Sequence, residues 1–236
     1  MTTATPIEAG PQPLRWTVPE FHRMIELGFF PHRAMLIRGE LLETHHGVPT
    51  DPDPRPFRMT REQYYRLGDL GFFQNRRVEL IRGEVVLMSP MNEPHYSSIA
   101  LTADRLRDVF GSAYYVRTQA PLDLGADLDP EPDVAVVPGA PRDYSSAPTI
   151  ALLIVEVADT SLFYDTTTKA GLYAEKGIPE YWVLDLVNRQ LLVFRDPTAI
   201  AAGGAAYRTH LTLSPSDSVS PLAVPAASIA VADLLP

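Results

Sequence analysis

The chain has 236 residues, 29 acidic and 20 basic, and its formal charge of −9 opposes the attraction on which non-specific nucleic-acid binding depends. Cysteine is absent, which excludes disulfides and thiolate metal sites, and a hydrophobic content of 45% is enough to bury a sizeable core. The first fifteen residues lack a signal-peptide pattern and no apolar run approaches the roughly 18 residues that cross a bilayer, so we expect a cytoplasmic protein without membrane contact.

An internal repeat occupies the first part of the chain. The segment TVPEFHRMIELGFFPHRAMLIRGELLE (17–43) is echoed by TREQYYRLGDLGFFQNRRVELIRGEVVL (60–87), with LGFF and LIRGE identical in both. Each copy predicts a short amphipathic helix that ends at Gly28 or Gly71, followed by a strand that turns at RGE.

A proline-rich segment, GVPTDPDPRPF (47–57), separates the two copies and predicts an extended linker. His45 and His46, just before it, have no partners at metal-ligand spacing and are interpreted as loop residues. We therefore predict an N-terminal extension (1–57) that carries a partial duplicate of the domain entrance, and a main domain (58–236).

Helices and strands alternate in the main domain. The patterns of apolar residues predict an amphipathic helix, two strands, a long buried strand, a second helix and then three strands; in order, these are 95–111, 113–124 with Pro121 near its end, 133–137, 150–158, 166–176, 180–186, 191–196 and 207–213. With a hairpin in front, this order predicts the α/β class, with a central mixed sheet flanked by helices.

Two carboxylates lie where these strands are otherwise apolar. Alternation in PDVAVV places Asp133 on one face of its strand, and Glu156 lies near the end of the apolar run LLIVEVA. An ionised carboxylate buried in a sheet costs several kcal/mol unless a cation or hydrogen bonds compensate it.

Lys169 is the candidate cation, in a chain whose other lysine is Lys176. If Asp165 is the N-cap of the predicted helix, Lys169 falls in the first turn, where the helix dipole disfavours a positive charge by roughly 0.3–1 kcal/mol. Lys169 shares a 3/4-spaced stripe with Leu172 and Tyr173, and this stripe is expected to face the sheet. The ammonium would then point back toward the two carboxylates.

Asp133, Glu156 and Lys169 together would carry about one net negative charge. Such a pocket, with oxygen ligands, suits Mg²⁺ or Mn²⁺. Metal-assisted hydrolysis of a phosphodiester would follow, with Lys169 orienting the attacking water or stabilising charge on the phosphate.

The motifs EPDVAVV, LIVEVADTS, YDTTTKAGLYAEKGIPEYWVLD and VELIRGEVVLMSP, with His95 downstream of the last, together resemble the bacterial Uma-two family of the PD-(D/E)xK restriction-endonuclease-like superfamily. The resemblance covers roughly residues 60–195. It implies a restriction-endonuclease-like core with Asp133 and Glu156 as metal ligands. Ala158 stands where the superfamily motif has its lysine, and the resemblance implies that Lys169, on the next helix, takes that role.

The resemblance implies an endonuclease that hydrolyses DNA with Mg²⁺ or Mn²⁺, and it is compatible with a homodimer whose paired sites cut two strands. The alternative is a catalytically silent binding or regulatory protein that keeps the fold and the acidic pocket. The net charge and the lack of a basic stripe favour this second function.

Each candidate residue also has a structural interpretation. Asp133 could cap a turn, Glu156 could pair with an arginine, and Lys169 could be an ordinary solvated helix residue. Three further candidates are Glu84, as an extra carboxylate or a hairpin residue; Gln119, as a hydrogen-bond partner of a water; and His95, as a site residue or a helix cap.

Overall fold

The computed structural model describes residues 10–44, 54–201 and 203–236. The chain forms two compact units. The first, called the repeat unit, consists of Pro11–Met88 and Gly125–Pro130, and the second, called the sheet unit, includes Ser89–Leu124 and Glu131–Pro236. The predicted domain boundary at residue 57 remains a prediction, because compact grouping does not test which segment folds alone.

The two copies of the repeat have the same element order. A two-residue strand precedes each copy, and the copy itself is a helix followed by a hairpin. The elements are β1 (Gln12–Pro13), α1 (Val18–Glu26), β2 (Arg33–Ile37) and β3 (Glu40–Thr44), then β4 (Arg55–Pro56), α2 (Arg61–Asp69), β5 (Val78–Ile81) and β6 (Glu84–Leu87). Most of the predicted linker, together with His45 and His46, lies outside the described residues. The last part of the linker forms β4, which pairs with β3.

Local sequence explains the start of each helix and the turn of each hairpin. Thr17 and Thr60 are N-caps, and each forms a capping box with the residue three positions later. The hairpin turns use Arg38–Gly39 and Arg82–Gly83, all with positive φ, as two-residue turns between antiparallel strands require.

The two copies exchange equivalent contacts. The Leu14 amide, which follows β1, donates to Val85 of β6 at 2.8 Å, and the Phe57 amide, which follows β4, donates to Leu41 of β3 at 2.9 Å. The strand that precedes each copy therefore completes the hairpin of the other copy.

Two arginines repeat this exchange at the helix ends. Arg23 Nη2 donates to the Leu70 carbonyl at 2.7 Å, and Arg66 Nη2 donates to the Leu27 carbonyl at 3.1 Å. Each helix therefore receives at its C-terminus a cation from the other helix, which suits the helix dipole. Both copies also contribute to one apolar core, which includes Met24, Phe29, Leu41, Leu67, Phe72 and Leu80.

The sheet unit is built on six strands. They are β7 (Tyr114–Thr118), β8 (Val134–Pro138), β9 (Leu153–Ala158), β10 (Glu180–Asp185), β11 (Gln190–Ala199) and β12 (Ala205–Leu213), in the spatial order β12-β11-β10-β9-β8-β7. The β9–β10 pairing is parallel and the neighbouring pairings are antiparallel. The predicted α/β class with a central mixed sheet is confirmed.

Helices lie against this sheet. α3 (Glu93–Phe110) packs on β7, β8 and β9, and it begins at the N-cap Asn92. A second helical stretch consists of α4 (Leu162–Tyr164), a π-helical turn (Asp165–Lys169) and α5 (Ala170–Glu175), and α5 packs on β11 and β12.

The C-terminal part adds the short strands β13 (Ser218–Val219) and β14 (Ile229–Ala230) and a 3₁₀ turn (Val231–Leu234). Val219, Ile229 and Val231 join the core beneath α3. In the described parts of the chain, every helix is too short or too polar to cross a bilayer.

Two strands are shorter than their sequence patterns predict. The strand predicted over 113–124 stops at Thr118, because Gln119 has a φ of 47° and leaves the extended conformation. The strand predicted over 150–158 begins at Leu153.

Candidate functional site

Asp133 and Glu156 lie on one face of the sheet. In the antiparallel β8–β9 pair, Val134 lies opposite Val155, and continuing that register puts Asp133 opposite Glu156, at a Cβ separation of about 5 Å. Val134 and Val155 belong to the core beneath α3, so alternation directs the two carboxylates to the other face.

The expected position of Glu156 within its strand is wrong. Glu156 is the fourth of six residues in β9 and not at its end, and its side chain is 4% exposed. Asp133 directly precedes β8. The two acids meet because the antiparallel strand brings its first residues to the centre of β9.

Lys169 compensates the buried Glu156. Its Nζ lies 2.9 Å from Glu156 Oε1, its side chain is 1% exposed, and the Tyr173 hydroxyl donates to the same oxygen at 2.8 Å. Burial raises the pKa of Glu156 above its usual value, the charge of Lys169 opposes that rise, and the charge of Asp133 adds to it. The structure therefore brings the two predicted acids and the predicted lysine together.

Asp133 is held in its ionised form by different partners. His95 Nε2 lies 3.2 Å from Asp133 Oδ2, and the Val157 amide donates to the same oxygen at 2.8 Å. Burial alone would raise the pKa of Asp133, but the interaction with His95, the Val157 amide and the charge of Lys169 lower it below its usual value. The neighbouring acids thus have pKa values shifted in opposite directions.

The helix that carries Lys169 does not begin as expected. Asp165 is not an N-cap, because the helical stretch starts at Leu162 and Asp165 opens the π-helical turn inside it. Lys169 closes that turn and is not in the first turn of a helix, so the expected penalty from the helix dipole does not apply. π-Helical turns are frequent at functional sites.

Asp165 is a site residue that the sequence interpretation missed. It is 2% exposed, and the Ser161 hydroxyl donates to its Oδ2 at 2.5 Å. Burial raises its pKa well above the usual value, with Lys169 opposing the rise and Glu156 adding to it. The four-residue spacing from Asp165 to Lys169, which places both on one helix face, is the signal that could have revealed it.

The three further candidates have different surroundings. His95 contacts Asp133, as described. The Gln119 amide donates to the carbonyls of Pro132 and Asp133 at 3.1 and 3.2 Å, and its side chain donates to Met91 Sδ at 3.0 Å. The backbone amide of Gln119 therefore helps to fix the main chain at Asp133.

Glu84 belongs to the repeat unit, where it lies 3.7 Å from Arg58 at the β5–β6 turn. Glu40 forms the same ion pair with Arg15 in the first copy. The repetition of this pair in both copies favours a structural role for Glu84 in its hairpin.

The site offers oxygen ligands for a hard cation. Mg²⁺ commonly binds through one or two carboxylates together with waters, and Asp133 and Glu156 provide two carboxylates on facing strands. Within residues 10–44, 54–201 and 203–236, no group of three or more histidine, aspartate and glutamate side chains forms a complete metal centre. Asp133 and Glu156 are therefore the two side chains of this site that could hold a cation.

The class of fold is α/β, a mixed six-stranded sheet flanked by helices, and it brings two acids and a lysine together. A model of the Uma2 family, described as "Putative restriction endonuclease", matches residues 61–232. The chain belongs to this family, and the resemblance that the sequence motifs indicate is confirmed. The matched region begins at the start of α2, so the first copy of the repeat lies outside it.

One solved structure with the same fold is a "putative nuclease belonging to DUF820" from Anabaena variabilis ATCC 29413. It is 16% identical, the similarity covers 75% of this chain and 97% of that one, and the TM-score is 0.58. Among curated proteins, none matches the chain.

Proposed function

We propose that the protein is a metal-dependent endonuclease that hydrolyses DNA phosphodiester bonds at Asp133, Glu156 and Lys169. One observation carries this proposal: a fully buried lysine lies against a carboxylate whose own neighbours are further carboxylates. Such an excess of buried acid is costly for a purely structural cluster, whereas it suits a site that binds a divalent cation. Membership in a family described as "Putative restriction endonuclease" supports the same activity.

Asp133 and Glu156 would hold Mg²⁺ or Mn²⁺. Bound there, the ion would supply Lewis-acid polarisation of a phosphoryl oxygen and activation of a water. The hydrogen bonds from His95 and the Val157 amide keep Asp133 oriented and ionised.

Lys169 would stabilise the negative charge that develops on the phosphate during hydrolysis. Its ammonium is a compact charge that can approach an oxygen from several directions, and Glu156 fixes its position. Tyr173 donates a hydrogen bond to Glu156 and so holds the carboxylate partner of Lys169 in place.

A nicking assay on supercoiled plasmid tests the proposal. Wild-type protein should cut with Mg²⁺ or Mn²⁺, EDTA should abolish cutting, and Asp133→Asn should reduce the rate at least about 100-fold. Asp185→Asn is a matched control, because Asp185 is a buried acid of the same sheet whose described partners are Asn188, in the following turn, and Gln190, at the start of β11. Equal cutting by wild type and Asp133→Asn would identify a contaminating nuclease and reject the assignment.

A catalytically silent binding protein is the second candidate. The observation in its favour is that Glu156 is already neutralised within the protein, by Lys169 and Tyr173, and that the acids are almost fully buried. Calorimetry with Mn²⁺ and with DNA separates the two functions. A metal-dependent DNA complex supports the nuclease, whereas Mn²⁺ binding without DNA affinity supports the silent protein.

A homodimer would provide paired sites for cutting both strands of DNA. Sedimentation of the full chain with and without DNA tests this arrangement. A purely monomeric protein that cuts both strands would contradict it.

A further inference from the structure

A polar cavity of about 270 Å³ opens beside β7, the edge strand of the six-stranded sheet. The proposed catalytic residues do not line it. Its walls come from β7, the turn after β7 and the loop after β8, and they are Tyr115, Arg117, Pro121, Pro141, Tyr144, Ser145, Ser146 and Ala147.

The cavity lies on the same sheet face as the proposed active site. Arg117 pairs with Ala135, which is two residues from Asp133 along β8. Val116, which lies between Tyr115 and Arg117 in β7, belongs to the core beneath α3. The side chains of Tyr115 and Arg117 therefore point to the opposite face of the sheet, where Asp133 also lies. From strand spacing and rise, the Cα atoms of Arg117 and Asp133 are about 8 Å apart.

Arg117 is an incompletely bonded cation in this cavity. Its Nη2 donates to the Pro121 carbonyl at 3.2 Å, and its guanidinium lies 5.7 Å from the centre of the Tyr115 ring. Its Nε is buried and has no hydrogen-bond partner. The guanidinium has five N–H donors, of which the bond to Pro121 uses one, and arginine is well suited to phosphate geometry.

Two tyrosine rings accompany the guanidinium. The centroids of Tyr115 and Tyr144 are 6.2 Å apart with their planes tilted by 41°, and the Tyr144 hydroxyl donates to the Pro138 carbonyl at 2.5 Å. This bond holds the Tyr144 ring in place at the wall of the cavity. Aromatic rings beside a cationic group are a common platform for the bases of single-stranded nucleic acid.

We propose that this cavity binds one nucleotide of the substrate strand, with its phosphate at Arg117 and its unpaired base against the tyrosine rings. The proposal deepens the nuclease function and rests on it for the role of the bound strand as substrate. The subsite would hold the strand next to Asp133 in a protein whose overall charge repels DNA.

Fluorescence anisotropy with a labelled single-stranded oligonucleotide in EDTA tests binding without cleavage. Arg117→Met should weaken binding about tenfold and lower the salt dependence of the affinity. Arg142→Met is the matched control, because it removes the same charge from the loop after β8, close to the cavity but not lining it, and it should change the affinity less than about twofold. Tyr144→Ser leaves Arg117 unchanged and should also weaken binding, which covers the case in which Arg117→Met does not fold.

Equal affinities for wild type, Arg117→Met and Tyr144→Ser would overturn the proposal, as would a wild type that does not bind the oligonucleotide. Inorganic phosphate is a separate arm: competition by phosphate as strong as by a mononucleotide would show an anion site only and reject base binding. Arg117-dependent binding without any cleavage would support the nucleotide subsite and reject the nuclease function. Asp133-dependent cleavage that Arg117→Met does not affect would support the nuclease function and reject the subsite.

Discussion

Two buried ion pairs in the six-stranded sheet are satisfied in different ways. Glu180, the first residue of β10, accepts from Arg195, from the Trp182 indole and from the Leu222 amide at 2.6–2.9 Å. Glu156 on β9 has Lys169 and Tyr173, but the same lysine also interacts with Asp133 and Asp165. The first cluster has one cation for one carboxylate, and the second has one cation among three.

The difference separates a structural ion pair from a candidate binding site. Neutral donors complete the Glu180 cluster, so no external charge is needed there. The Glu156 cluster keeps an excess of carboxylate, and burial together with these like charges raises the pKa of Glu156 and Asp165. Burial and like charges are the usual means by which functional sites shift pKa values.

Removing the cation from each cluster should give the largest contrast. Lys169→Met should reduce DNA cleavage at least about 100-fold, because it removes the group that stabilises charge on the phosphate. Arg195→Met should lower stability but leave the cleavage rate per folded molecule close to wild type. Nicking rates normalised to the folded fraction from circular dichroism measure both, and a loss of activity in both variants would erase the distinction.

The same glutamate-to-glutamine change should cost different amounts of stability. Glu180→Gln should lower the free energy of unfolding by about 3 kcal/mol, because Arg195 loses its charged partner in a buried setting. Glu156→Gln should cost less than about 1 kcal/mol, because Asp133 and Asp165 remain near Lys169 and an unfavourable buried charge is removed. Urea denaturation measures both values, and a larger cost for Glu156→Gln would contradict this view of the site.

Asp165→Asn should stabilise the protein at neutral pH by about 1 kcal/mol or more. The pKa of Asp165 is raised in the folded state, so its contribution to stability is fully present below its unfolded pKa and is lost as pH rises through the folded pKa. The advantage of the variant should therefore grow with pH, which urea denaturation between about pH 5 and 8 would show.

Asp133→Asn is the control for that experiment, because its stability relative to wild type should change with pH in the opposite direction. The pKa of Asp133 is lowered, so its stabilisation is present above its unfolded pKa and is lost as pH falls through the folded pKa. Asp133→Asn should be less stable than wild type at neutral pH, and the gap should narrow in acid. If the stability of both variants relative to wild type changed with pH in the same direction, the pKa shifts assigned to Asp133 and Asp165 would be contradicted.

The smallest effects on stability are expected in the repeat unit, where the residues to be changed are uncharged helix caps and not buried charges. Thr17→Ala and Thr60→Ala should each lower the free energy of unfolding by about 1 kcal/mol, because each removes the side chain that caps an equivalent helix. Both variants should cleave DNA as wild type does. A difference of more than about 1 kcal/mol between them would show that the two copies are not energetically equivalent.

Much of the fold follows from local sequence signals. The alternation that puts Asp133 on one strand face and the shared LGFF and LIRGE motifs are visible in the residues themselves. The end of β7 is not, because Gln119 adopts a left-handed conformation that nothing in its neighbours demands. The register that sets Asp133 opposite Glu156 also depends on pairing between distant segments.

The helix before Lys169 shows how a local signal can mislead. Asp165 has the residue type and position of an N-cap, but tertiary packing extends the helix back to Leu162 and buries the carboxylate instead. The catalytic roles of Asp133, Glu156 and Lys169 stay predictions until cleavage is measured.

The exchanged strands of the repeat unit make its two copies interdependent. Because β1 borders the hairpin of the second copy and β4 borders that of the first, neither copy can open without exposing the unpaired edge of the other. The two copies therefore cannot become independent of each other, as two tandem domains could. Its amide protons should exchange with solvent in a single concerted opening event shared by residues on either side of the duplication.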